Sequence, residues 1–244
     1  MRRGVVGALA VALATPAVAM AQAHPPAAPM DATGHHQRTY SFVQTEADYG
    51  RLDGGHAQAT WEADAWIGGD RRKLWLKSEA ELTGGELEAA EVQALYSRKL
   101  AAFFDAQVGL RYDVEPRGTV YLVAGVQGLA PYLLETDLAA FLSDHGDLGV
   151  RLEQSVDLLL TQRLILEPQL ELEAQLRDAP ERRLASGFTG VEASLQLRYE
   201  ITRKFAPSVT AAYARALGAT AAGGRDDGEA VGGWAVRAGV RSWF

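Results

Sequence analysis

From about Gln37 to the C-terminus, apolar and polar residues alternate with a period of two, in segments that follow one another almost without interruption. In one segment Ala57, Ala59, Trp61, Ala63, Ala65 and Ile67 share a face. Gln58, Thr60, Glu62, Asp64 and Trp66 share the other, because successive strand side chains point to opposite sides. The split recurs with Leu74, Leu76 and Leu82 against Lys73, Lys77, Glu79 and Glu81. Val108, Leu110 and Tyr112 oppose Arg111 and Asp113, and Leu148 to Leu160 reads as one segment with Arg151, Glu153 and Asp157 on its polar side. Further on, Leu170 and Leu172 oppose Glu171, Glu173 and Arg163, and Leu195 and Leu197 oppose Arg198. The last segment, Ala235 to Phe244, stops on an aromatic residue.

These segments run on the order of ten residues, against five or six in ordinary globular sheets, and that length suits a tilted membrane crossing. In lipid a strand protein satisfies its backbone only by closing on itself. The pattern therefore predicts an all-β fold, a closed antiparallel transmembrane β-barrel of about twelve strands over residues 37–244. Trp61, Leu110, Leu158 and Leu197 are expected to face lipid. The strand ending at Phe244 is expected to close the barrel against the first strand near Tyr40 and Phe42. Connections alternate between short basic ones, such as Arg71-Arg72-Lys73 and Arg203-Lys204, and Gly-rich or acidic ones, such as Ser143 to Asp147, Asp178 to Gly187 and Gly218 to Glu229. Short periplasmic turns and longer external loops are the expected asymmetry. Trp61, Trp66, Trp75, Trp234, Trp243, Tyr112, Tyr132 and Tyr199 are read as interfacial belts.

Ahead of the strands, Met1-Arg2-Arg3, an apolar run from Gly4 to Val18 and Ala21-Gln22-Ala23 make a secretory signal peptide over residues 1–23. Residues 24–36, rich in Pro and Ala and without periodicity, form an expected disordered tail. The chain has no cysteine, which removes disulfides and thiolate chemistry. A net charge of −7 argues against nucleic acid as a partner.

Four stretches carry a resemblance. They are Trp66-Ile67-Gly68-Gly69-Asp70 leading to Leu74-Trp75-Leu76-Lys77, Gly125 to Tyr132, Asp157 to Leu166, and Arg198 to Arg203 with Phe205-Ala206-Pro207. In that order they resemble the copper-resistance outer-membrane protein B (CopB-type) family over nearly the whole mature chain. The resemblance implies an outer-membrane barrel of a Gram-negative bacterium that binds copper ion and contributes to copper resistance and homeostasis. It implies lipid and copper as partners, with periplasmic copper-handling proteins as further ones. Members of the family often carry a long Met- and His-rich region ahead of the barrel. Here that region shrinks to His24, Met30, His35 and His36.

Imidazole suits Cu(II) and thioether sulfur suits Cu(I), so those four residues are the first candidate metal ligands. The second candidate is the charged inner face, Glu62, Asp64, Glu79, Glu81, Asp113, Glu153, Asp157, Glu171 and Glu173, expected to pair across strands with Lys73, Lys77, Arg111, Arg151, Arg163 and Arg198. His56 and His145, in predicted outward loops, are the weakest candidates. Enzyme activity is not expected. Ser143 and His145 share a loop, but no Gly-x-Ser-x-Gly elbow surrounds any serine. A general small-solute porin is the closest alternative.

Overall fold

The computed structural model describes residues 39–179, 182–226 and 230–244. The expected signal peptide and the ligand candidates His24, Met30, His35 and His36 lie outside the described residues. The first strands are β1 (Tyr40–Leu52), β2 (Ala57–Gly68), β3 (Arg72–Thr83), β4 (Glu86–Lys99), β5 (Phe104–Glu115) and β6 (Thr119–Ala130). They are followed by β7 (Leu134–Ser143), β8 (Leu148–Ser155), β9 (Leu158–Leu159), β10 (Leu164–Gln175), β11 (Gly187–Tyr199), β12 (Phe205–Ala216) and β13 (Gly232–Trp243). Each strand pairs antiparallel with its neighbours, β13 pairs back to β1, and β8 and β9 both pair with β10. Counting β8 and β9 as one stave, the protein is a closed antiparallel barrel of twelve, as the segment count predicts.

That stave is not continuous. Pro168 of β10 has no N–H to give to a ladder, and opposite it the β8 pairing stops at Ser155 and resumes at Leu158. Val156 N–H still donates to the Pro168 carbonyl at 3.3 Å, but Asp157 turns inward and takes a hydrogen bond from Arg198. Leu158 faces outward as expected, yet it sits at the terminal rim. The outer band is otherwise apolar: Leu110, Leu122, Val209 and Val236 are each more than half exposed. On a closed barrel this is the surface that meets hydrocarbon.

Closure also differs in detail from the expected contact at Tyr40 and Phe42. The β1–β13 ladder runs from Gln44 opposite Trp243 to Leu52 opposite Ala235. Phe244 exchanges both backbone hydrogen bonds with Val43. Tyr40 to Phe42 extend past the last strand and pair only with β2. The expected loop from Gly218 to Glu229 contains a helix, α1 (Gly218–Asp226).

The end that carries Phe244 has connections of three to five residues throughout, while the far end has the two long ones, 176–186 and 217–231, beside four of two to four residues. Bacterial single-chain barrels keep their short turns in the periplasm, so the Phe244 end is periplasmic.

Candidate functional site in the lumen

Because side chains alternate, the inner surface can be mapped row by row from the strand register. One row is apolar. Phe42, Trp66, Trp75 and Leu95 lie side by side on β1 to β4, and the row continues through Gly109 to Val123 and Phe141. Phe42 stacks on Trp66 at 6.3 Å between ring centroids, and Trp66 meets Trp75 at 6.1 Å. Leu95, Tyr121, Val123 and Phe141 are buried together with Trp75 against them. At Gly109 a Cβ would stand 2.0 Å from the Ala94 carbonyl oxygen, so the row passes a position that only glycine fits. Trp66, Trp75 and, by the same parity, Trp243 therefore point into the barrel rather than forming interfacial belts. The reason is visible in the alternation: Trp66 shares its face with Glu62 and Asp64, and Trp75 shares its face with Lys73 and Lys77.

A second row is acidic. Glu46, Glu62, Glu79 and Glu91 are direct cross-strand partners on β1 to β4, and Glu91 faces Asp113 on β5. On the other side of the barrel Asp137, Glu153, Glu171 and Glu192 are lateral partners in the same way. Like charges directly opposite each other destabilise a sheet. Arginines on neighbouring strands and across the lumen offset this. Arg111 binds Glu91 at 2.6 Å and Asp113 at 2.5 Å. Arg151 lies among Glu79, Glu91, Glu171 and Glu173 at 3.3–3.7 Å. Both guanidiniums stack on Phe141, at 4.9 and 5.6 Å from the ring. Lys77 reaches Asp137 at 2.6 Å, a tie across four staves.

Toward the periplasm Arg241 joins Glu46 at 2.5 Å and Glu167 at 2.9 Å, and Arg198 joins Glu167 and Asp157. Of the expected lumen charges, Lys73, Lys77, Glu79, Arg111, Asp113, Arg151, Asp157, Glu171, Glu173 and Arg198 form ion pairs inside the barrel. Glu81 and Glu153 take hydrogen bonds from Gln58 and Gln169, and Glu62 and Asp64 line the wall without an ion pair among the described residues. Arg163 departs from the expectation in position: it lies exposed in the turn before β10, outside the lumen. Glu46, Glu91, Arg237 and Arg241 are lumen residues that the sequence reading missed. Their signal was the same alternation, Gln44-Glu46-Asp48 in β1 and Arg237 and Arg241 opposite Val236 and Val240 in β13.

The rows enclose a cavity of about 450 Å³ lined by thirteen carboxylates and five arginines. Beside the apolar row the space narrows to a pocket of about 30 Å³ between Lys77, Leu95, Val123, Asp137, Phe141 and Arg151. At the outer mouth Arg182 of the 176–186 connection leans inward, 3.6 Å from Asp113 and over the Tyr121 ring. That connection is tied to itself, since Ser186 N–H donates to Asp178 at 2.7 Å, which holds the Asp178 carboxyl below its usual range. It is tied to α1 as well, where Ala185 N–H donates to the Thr220 hydroxyl at 3.0 Å.

The two loop histidines are not brought together. His56 lies in the β1–β2 connection and His145 in the β7–β8 connection, six staves apart in a ring of twelve. His145 Nδ1 contacts Asp144 at 2.6 Å, while the Ser143 hydroxyl accepts the backbone N–H groups of His145 and Asp147. The serine caps its turn and the imidazole is directed elsewhere. Among the described residues no group of three or more His, Asp or Glu side chains converges to hold a metal ion.

Known proteins resemble the chain at two levels. By fold it is similar to the NanC porin, with a TM-score of 0.57 and 14% identity over 81% of this chain and 98% of that one. It is also similar to the KdgM porin, with a TM-score of 0.52 and 12% identity over 82% and 99%. By sequence it is 40% identical to a copper resistance protein B homolog of Pseudomonas syringae pv. tomato over 83% of this chain, and 38% identical to copper resistance protein B of Escherichia coli over 76%. It spans 69% and 63% of those two relatives' lengths. The family described as "Copper resistance protein B precursor (CopB)" matches residues 39–244. With the closed barrel and its apolar outer band, these matches establish that the chain is an outer-membrane β-barrel of the copper resistance protein B family.

Proposed function

We propose that this chain contributes to copper resistance by binding copper ion at the outer membrane, without catalysing a reaction. The observation that carries the reading furthest is the laterally paired carboxylate row, Glu46, Glu62, Glu79 and Glu91, on the wall of an acid-lined cavity. A lumen with so large an excess of carboxylates attracts cations and repels anions. Carboxylates are hard ligands and do not select copper by themselves. Selection falls to softer donors: His24, His35 and His36, with Met30 joining for Cu(I), on the periplasmic side of the barrel. Ligation needs neutral imidazole, so affinity falls as the pH drops through the ordinary histidine range, near 6.5. In this reading the tail chooses the metal, and the lumen holds cations loosely near the outer face. His56 and His145 serve as independent weaker contacts.

The test replaces His24, His35, His36 and Met30 with alanine in the otherwise intact protein, followed by measurement of copper affinity and of copper tolerance in cells. Both should fall. If neither changes, the tail is not the ligand set, and His56 and His145 are the residues to replace next. A small-solute porin is the second reading, favoured by the fold likeness to the two porins. Against it stand the apolar row packed inside the β3 to β7 side of the barrel and the Lys77–Asp137 ion pair that crosses the lumen. Single-channel recording separates the two: a porin gives large, steady conductance to neutral and charged solutes alike.

A further inference from the structure

We propose that Arg72 and Arg98 form a binding site for an anionic phospholipid headgroup on the outer wall of the barrel at its periplasmic rim. The two residues are direct cross-strand partners at the adjoining ends of β3 and β4. Both have the parity of the lipid-facing side chains. Arg72 is in phase with Leu74 and Leu76, and Arg98 with Val92 and Tyr96, and both arginines are exposed. One register step deeper, Leu74 and Tyr96 are partners in turn, 59% and 40% exposed to the hydrocarbon side. Two guanidiniums thus stand side by side where the apolar wall ends.

Like charges in this relation destabilise a sheet, and nothing in the described residues compensates for them. Neither arginine has an ion-pair partner among the described residues. The contrast with the next residue is sharp: Lys73 points the other way, into the lumen, and binds Asp105 at 2.8 Å. Inside the barrel the chain pairs its cations with carboxylates; here the one carboxylate of the β2–β3 turn, Asp70, forms no ion pair with either arginine among the described residues. Two further cations frame the pair, Arg71 in the β2–β3 turn and Lys99 at the end of β4, joined by a hydrogen bond from Lys99 N–H to the Arg71 carbonyl at 3.1 Å. The cluster is therefore one patch across two adjacent turns, in a protein whose net charge is −7.

The ligand follows from position and chemistry. Planar guanidiniums bind phosphate oxygens in pairs, with charge-assisted hydrogen bonds. The patch lies on the lipid side of the wall at the level of the headgroups, where a phosphodiester with its acyl chains against Leu74 and Tyr96 satisfies both the charge and the apolar surface. A soluble acidic partner would have to displace lipid to reach the same atoms. The proposal is independent of copper binding and survives or fails without it.

The test uses the mature protein folded in neutral detergent, with phosphatidylglycerol as the probe. Phosphatidylcholine of the same acyl chains and glycerol 3-phosphate are the comparisons, and bound lipid is counted by native mass spectrometry. Each basic residue near an anionic lipid surface contributes roughly a fivefold change in binding. Arg72→Gln with Arg98→Gln should therefore weaken phosphatidylglycerol binding about twentyfold, with each single variant losing about fivefold. Arg203→Gln with Lys204→Gln, on another turn of the same rim, should leave it unchanged. Heat-modifiable migration on gels verifies that each variant is folded, and the single variants carry the test if the double variant does not fold. Equal binding of phosphatidylcholine, retained affinity in the Arg72 and Arg98 variants, or an equal loss in the Arg203 and Lys204 variant would overturn the proposal. So would equally strong competition by glycerol 3-phosphate, which would mark a site for soluble phosphate esters.

Discussion

Two bands on the same four strands, both facing inward, have opposite chemistry. Glu46, Glu62, Glu79 and Glu91 stand side by side on β1 to β4. Four residues along each strand toward the periplasm stand Phe42, Trp66, Trp75 and Leu95. At about 3.3 Å per residue the bands are roughly 13 Å apart. The apolar band does what a protein core does, and its continuation through Val123 and Phe141 fills the barrel on the β3 to β7 side. The acidic band does the reverse, placing like charges opposite each other and relying on Arg111, Arg151 and Arg241 to hold them. One band stabilises the barrel, and the other is maintained against a stability cost. A barrel that needed only to stay closed could have continued the apolar chemistry upward, so under the proposed function the acidic band is the part kept for cations.

The largest effect should come from breaking the packed band. Phe141 is buried against Leu95, Tyr121 and Val123, and it is also the surface on which Arg111 and Arg151 rest. Phe141→Ala should cost about 3–5 kcal/mol, in the range for deleting a buried aromatic ring. Guanidinium unfolding in detergent, followed by tryptophan fluorescence, measures this. A loss below about 1 kcal/mol would mean that the row is loosely packed and the division into two bands is wrong.

The next effect comes from the spokes between the bands. Arg151 lies within 3.7 Å of Glu79, Glu171 and Glu173, and shares Glu91 with Arg111. Arg151→Met keeps much of the volume and strands Glu79, Glu171 and Glu173, while Glu91 keeps Arg111. Removing one partner of a buried pair costs about 3–5 kcal/mol, but Glu79 and Glu173 are 44% and 43% exposed to the lumen, and solvent there screens the loss. We expect a loss of about 2 kcal/mol in the same unfolding assay, partly recovered on adding calcium or magnesium chloride. Recovery by divalent salt, and not by a non-ionic osmolyte, would identify carboxylate repulsion as the cause.

How much of this was legible beforehand depends on which physical rule was at stake. The barrel, its twelve staves and the two faces of each strand follow from period-two alternation and strand length, which need no knowledge of partners. Trp66 and Trp75 were legible too, because their parity sets them with Glu62 and Lys77. Reading them as belts let a preference of residue type override the alternation. The break opposite Pro168 needed the pairing partner, since a proline disturbs the neighbouring strand and not only its own. The rows themselves were out of reach. Register depends on turn lengths and on local shifts, such as those at Glu81/Leu82 and Ala90/Glu91, that no single segment displays. Without register, Glu46, Glu62, Glu79 and Glu91 are four separate acidic residues, and Arg72 and Arg98 are two unrelated basic ones. The candidate copper ligands show the opposite case, since the alternation that orders the barrel says nothing about His24, Met30, His35 and His36.

The smallest expected effect is the most discriminating one. Glu62 sits in the middle of the acidic band with Glu46 on one side and Glu79 on the other, and neither neighbour is a cation. Glu62→Gln keeps the shape and removes one charge from two unfavourable pairs. Each such cross-strand pair is worth about 0.2–1 kcal/mol, so the variant should be more stable than the parent by about 0.5–1 kcal/mol, and less so in high salt. If the band serves cations, the same change should weaken their hold on the lumen. Competition of calcium for a luminescent lanthanide bound inside the folded barrel would read this as lower affinity in the variant. Stability and cation affinity would then move in opposite directions on a single substitution, as expected for residues kept for function at the expense of the fold. A variant that is both less stable and unchanged in cation affinity would show that Glu62 has a structural role, and the acidic band would lose its claim to be the functional half of the lumen.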